Sequence, residues 1–119
     1  MSAGLTTHVL DISVGRPASG VRIELFRRLE DGKIELLQTA YTNADGRVQG
    51  PMIIGESFAA GTYELVFHVG DYFRNRGIGL EEPLFLDQVP VRFGISRSSL
   101  HYHVPLLIAP WGYNTYRGS

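Results

Sequence analysis

The chain has no cysteine. That excludes a disulfide framework, a thiolate nucleophile and any Cys-ligated metal, and it leaves the redox compartment open. Lysine is almost missing as well. Lys33 is the only one among eleven basic residues, and Arg27-Arg28 is the only adjacent basic pair. Such scattered arginines make no phosphate-tracking stripe, and the formal net charge is −1, so no nucleic-acid partner is expected. No apolar run is long enough to suggest a membrane span. The start, Met1-Ser2-Ala3-Gly4, shows neither a basic region nor an apolar core of a leader. The expectation is therefore no secretory signal and a cytoplasmic location. A Gly-rich phosphate loop, a nucleophile elbow, an EF-hand loop and a His-Glu-x-x-His motif are also missing.

What remains is a chain of 119 residues, 44% hydrophobic and 19% charged. Those values fit one globular domain over 1–119 with a single core. Fourteen glycines and six prolines point to a turn-rich fold. Val21-Arg22-Ile23-Glu24-Leu25 alternates apolar and charged residues, the signature of a half-buried strand. Glu30-Asp31-Gly32-Lys33 reads as a hairpin turn, and 34–42 returns as a strand. Asn43-Ala44-Asp45-Gly46-Arg47 is a second turn, followed by a short run from Val48 to Ile54. Tyr63, Leu65, Phe67 and Val69 share one side of a strong strand. Asp71 to Arg76 is the one helical stretch, ended by Gly77. Residues 15–20 and 78–88 read as loops. Pro90 marks the strand 89–95 as an edge or a strand end. With 5–11, 101–109 and 113–117 the count is about eight short strands, an all-β sandwich or barrel.

The last stretch carries the chemistry. Chain ends are usually polar and frayed. Here residues 101–109 form one extended run, Pro110-Trp111-Gly112 a turn, and an aromatic run ends in Tyr116-Arg117-Gly118-Ser119. Alternation puts Tyr102, Val104 and Leu106 on the core side and both His101 and His103 on the outer side. Thr6, His8 and Leu10 likewise share a face, opposite Leu5, Thr7 and Val9. By the same alternation His68, opposite the apolar set of its strand, reads as a surface residue. Arg47 follows its turn either as a solvated partner of Asp45 or as a clamp for a planar, carbonyl-rich ligand. The residues alone leave three readings open. The histidines are structural, or they form a base-and-clamp site, or three imidazoles hold a hydrolytic zinc. No Asp or Glu stands beside His101 and His103 to orient a metal ligand. The carboxylate at Ser119 is a further group able to orient an imidazole or ligand.

Four stretches carry a resemblance. Thr7-His8-Val9-Leu10-Asp11, Asn43-Ala44-Asp45-Gly46-Arg47, His101-Tyr102-His103-Val104-Pro105-Leu106-Leu107 and the terminal Tyr116-Arg117-Gly118-Ser119 resemble the 5-hydroxyisourate hydrolases, the transthyretin-related proteins. The terminal Tyr-Arg-Gly-Ser is the motif that separates these hydrolases from transthyretin, the hormone carrier. The resemblance implies a transthyretin-like (prealbumin-like), Greek-key, eight-stranded β-sandwich of two four-stranded sheets with one short helix. It implies a homotetramer, a dimer of dimers, with sites at the dimer–dimer interface. It implies hydrolysis of the small molecule 5-hydroxyisourate to 2-oxo-4-hydroxy-4-carboxy-5-ureidoimidazoline, with no cofactor or metal. His8, Arg47 and His103 match the catalytic trio. His8, Arg47, Tyr116, Ser119 and His101 match the substrate-binding positions. Against a carrier, the matched positions at His8, His103 and Tyr116 are ionisable or phenolic, where a carrier's channel tolerates small or apolar residues.

Overall fold

The computed structural model describes residues 3–53 and 58–119. Met1-Ser2 and Ile54, the last residue of the expected run 48–54, lie outside the described residues. Eight strands and one helix follow in order. They are β1 (Gly4–Asp11), β2 (Arg16–Pro17), β3 (Arg22–Arg28), β4 (Ile34–Tyr41), β5 (Gly61–Phe67), α1 (Val69–Arg76), β6 (Val89–Ile95), β7 (His101–Ala109) and β8 (Gly112–Thr115). They build two four-stranded sheets, ordered β2-β1-β7-β8 and β4-β3-β5-β6. Chain order and sheet order differ, since β1 neighbours β7 and β3 neighbours β5, the crossed connectivity of a Greek-key sandwich. The β1–β7 pair is parallel, running from Gly4↔His101 to Asp11↔Ile108, and the other strand pairs are antiparallel.

Alternation decides what the core contains. Leu5 and Val9 of β1 and Tyr102, Val104, Leu106 and Ile108 of β7 point inward from one sheet. Ile23, Leu25, Tyr63, Leu65, Phe67 and Ile95 point inward from the other. Each such large side chain contributes about 1.5–3 kcal/mol by leaving water. The Pro90 reading holds, because β6 is an edge strand, paired with β5 on one side only, where a residue without an N–H is tolerated. The helix begins two residues before the expected Asp71 and ends where expected, with Gly77 left-handed at φ 67.

One buried charge ties the helix to the first sheet. Asp11 is fully buried. Its Oδ2 accepts from the Tyr72 hydroxyl at 2.8 Å and from Arg76 Nη1 at 2.9 Å, and its Oδ1 from the Ser13 backbone N–H at 3.0 Å. Burial, and then the bond to Asp11, pushes the Tyr72 phenol up to about 12.

Two expectations need correction. The strand count is right for a different set of strands. Among the described residues the stretch from Arg47 meets β1 only in bridges at Arg47 and Ile53, whereas Arg16-Pro17, read as loop, pairs with β1 as β2. Periodicity cannot show a two-residue strand. His68, read as a surface residue, is only 5% exposed. It does point away from the core, but long neighbours close over it. Its Nε2 lies 2.5 Å from Glu24 Oε1, and the Arg22 guanidinium stands 3.2 Å from the ring.

Candidate active site

The outer face of the first sheet gathers the other three histidines. Parallel register puts Thr6 opposite His103 and Gly4 opposite His101, so Thr6 and His8 of β1 share a face with both imidazoles of β7. The inward neighbours lock the strands. Buried Thr7 donates its hydroxyl to the Val104 carbonyl at 2.7 Å, satisfying a polar group that would otherwise be costly. His8, His101 and His103 are each half-buried.

Arg47 reaches this face through its turn. Asn43 Oδ1 accepts from the backbone N–H groups of Asp45 at 2.9 Å and Arg47 at 3.2 Å, and the Asn43 N–H bonds the Arg47 carbonyl at 2.8 Å. Gly46 takes φ 73 and its carbonyl accepts from the Val9 N–H at 2.8 Å. A Cβ there would strike the Val9 carbonyl, so glycine lets the turn lie flat on β1. The result is an antiparallel bridge between His8 and Arg47.

The C-terminal residues close the other side. The Gly118 N–H bonds the His103 carbonyl at 2.7 Å, and His103 and Gly118 form a bridge. A Cβ on Gly118 would sit 2.5 Å from His103 Cδ2, so the bare glycine backbone is what fits against the ring. Arg117 turns inward and stands over the Tyr102 ring at 4.2 Å. Tyr116, 57% exposed, follows β8 and lines a hollow with Tyr102, Val104, Thr115, Arg117 and Phe93. Ser119 is exposed just beyond and makes no hydrogen bond to these side chains among the described residues. The structure thus brings together His8, Arg47, His101 and His103, places Tyr116 in the hollow beside Tyr102, and leaves Ser119 exposed.

The local field favours neutral imidazoles. Burial and then the Arg47 cation hold His8 below its usual range. Burial, Arg47, His8 and His101 do the same to His103. Among the described residues the only histidine–carboxylate pair is His68 with Glu24, on the other sheet. Among those residues no three His, Asp or Glu side chains converge as a metal-ligating group. His101 Nε2 and His103 Nδ1 instead converge on the Thr6 hydroxyl, at 2.9 and 2.8 Å.

Sequence reasoning did not single out Thr6 or Gly118. Thr6 was visible only as a neighbour of His8 on one face. Gly118 was visible only as a letter of the terminal motif.

A transthyretin-type sandwich with neutral imidazoles and a guanidinium on its outer face is a scaffold equipped for acid–base chemistry on a flat polar ligand. Comparison with known proteins agrees. The profile of the HIUase/transthyretin family matches residues 5–118, and the chain belongs to that family. It is 59% identical over 118 residues to 5-hydroxyisourate hydrolase 2 of Rhizobium meliloti, covering 99% of this chain and 98% of that protein. The solved 5-hydroxyisourate hydrolase of Klebsiella pneumoniae superposes with a TM-score of 0.78 at 38% identity, covering 97% of this chain and 98% of that one. Sea bream transthyretin, solved with thyroxine, superposes with a TM-score of 0.85 at 27% identity, covering 96% and 93%.

Proposed function

We propose that this chain is a hydrolase that opens the ring of 5-hydroxyisourate with water, in the breakdown of urate, and that the product is 2-oxo-4-hydroxy-4-carboxy-5-ureidoimidazoline. The same sandwich also serves a thyroxine-bound protein, so the fold does not choose the activity. The observation that carries the reading is the pair His8 and His103, kept neutral beside Arg47 on one open face.

Hydrolysis of a cyclic amide needs a proton acceptor for water, charge to meet the developing oxyanion, and a grip on a planar ring. His103 takes the water proton as the C–O bond forms, with His8 as co-base or proton shuttle. A neutral imidazole near pH 7 suits that task and contributes about 10²–10⁴-fold in rate. Arg47 stabilises the oxyanion and binds ring oxygens. The ring C–N bond then breaks and the proton returns to the leaving nitrogen. Tyr116 contacts the bound ring, and His101 and Ser119 complete the binding wall. This route uses no cofactor and no metal.

The proposal includes a homotetramer, a dimer of dimers, in which the imidazole face of one dimer is covered by the other. Light scattering on the purified protein checks the assembly, and cell fractionation checks a cytoplasmic location. The activity is tested by the ultraviolet trace of freshly generated 5-hydroxyisourate with and without the protein. Decay no faster than the spontaneous rate would remove the proposal.

A further inference from the structure

We infer that Thr6 is a positioning residue that sets the tautomer of His103 and links it by a proton path to His101. The inference rests on the hydrolase reading for its kinetic consequence, but its structural content stands apart. One hydroxyl lies 2.8 Å from His103 Nδ1 and 2.9 Å from His101 Nε2. A threonine hydroxyl has one proton to give and lone pairs to receive. Between two neutral rings it therefore donates to one nitrogen and accepts from the other, so the two tautomers are coupled.

The nitrogen turned toward Thr6 is Nδ1. With Nδ1–H donating to the hydroxyl, Nε2 of His103 is left as a bare lone pair. The Thr6 O–H is then free to donate to His101 Nε2. This is the tautomer a general base requires, with its second nitrogen fixed by a hydrogen bond.

The same geometry gives the proton somewhere to go. As His103 Nε2 takes a proton from water, its Nδ1 proton passes to Thr6 Oγ1. The hydroxyl proton of Thr6 passes to His101 Nε2. His103 ends neutral in the opposite tautomer and His101 ends as the cation. The steps reverse when the leaving nitrogen is protonated, so no proton is gained or lost. Strand register builds the relay: Thr6 pairs with His103, and His101 lies two residues before it on the same face.

The test uses full-length protein labelled with ¹⁵N-histidine, as wild type, Thr6→Val and Thr6→Ser. Two-bond ¹H–¹⁵N spectra without substrate read each ring's tautomer directly. The expected result is a single Nδ1–H form for His103 in wild type and Thr6→Ser, and a mixture in Thr6→Val. In steady-state hydrolysis, kcat of Thr6→Val is expected to fall about ten- to a hundred-fold with KM little changed, and Thr6→Ser to recover most of it. A single Nδ1–H form retained in Thr6→Val, or an unchanged kcat, would overturn the inference. If wild type fails to hydrolyse 5-hydroxyisourate, the hydrolase reading falls and the spectra still decide the role of Thr6.

Discussion

Histidine occupies the outer faces of both sheets, and the two faces treat it in opposite ways. On the β4-β3-β5-β6 sheet, His68 is 5% exposed and sits between Glu24 and Arg22. Its ring nitrogens are occupied by partners of fixed charge, which makes it a cross-link between β3 and the start of α1. On the β2-β1-β7-β8 sheet, His8, His101 and His103 are half-buried and face Arg47. His68 has both a carboxylate and a guanidinium against its ring, whereas His8 and His103 face a guanidinium and, among the described residues, pair with no carboxylate. The first arrangement holds a histidine still, and the second keeps one ready to accept a proton. The difference teaches that neither the presence of a histidine nor its face identifies a base. The presence or absence of a paired carboxylate and a ring nitrogen left open do.

The comparison breaks most sharply if the reactive face loses its C-terminal wall. Deleting Tyr116 to Ser119 removes the Gly118 N–H bond to the His103 carbonyl and the Arg117 guanidinium from the Tyr102 ring. Hydrolysis is expected to fall to the spontaneous rate, while far-ultraviolet circular dichroism still reports a folded sandwich. Arg47→Gln is the next largest change. It removes the charge proposed to meet the oxyanion, and kcat/KM is expected to drop about 10²–10³-fold. It also removes a cause that lowers the titration of His8 and His103. The acid limb of the pH–rate profile is therefore expected to move to higher pH.

On the closed face the same kind of change should act on stability alone. His68→Gln disrupts the pairing with Glu24 and Arg22 in a buried position. It is expected to lower unfolding free energy by about 1–3 kcal/mol. The turnover per folded molecule is expected to stay unchanged. Urea titration and kcat measured on the same samples separate the two effects.

The smallest expected effect is a pH dependence of stability set by the open face. Folded His8 and His103 titrate below the 6.5 of an unperturbed imidazole. Between their folded values and 6.5 the unfolded chain binds more protons, so stability rises with pH there. The contribution is fully present above about pH 6.5 and is lost as pH falls through the folded values. Urea midpoints between pH 5 and 7 are expected to show this slope, and the double variant His8→Asn/His103→Asn to flatten it.

Much of this was legible in the sequence because alternation is a local rule. It assigned Tyr102, Val104 and Leu106 to the core and His8, His101 and His103 to the outside, and the glycines of Asp31-Gly32 and Asp45-Gly46 marked real turns. The rule failed where burial depends on neighbours from other strands. His68 does point outward, but Arg22 and Glu24 of β3 close over it, and no pattern within β5 shows that. The run 48–54 has the composition of a strand, yet it touches β1 at only Arg47 and Ile53 among the described residues. Thr6 was hidden for the same reason. Its significance lies in a register between strands 97 residues apart, which no local spacing encodes.

The most direct measurement is the ultraviolet decay of 5-hydroxyisourate with wild type, His103→Asn and His68→Gln, each with and without EDTA. The expectation is accelerated decay with wild type and with folded His68→Gln, indifferent to EDTA, with a loss of about 10²–10⁴-fold in His103→Asn. A His103→Asn protein that hydrolyses near the wild-type rate, or a wild type silenced by EDTA and restored by zinc, would contradict it.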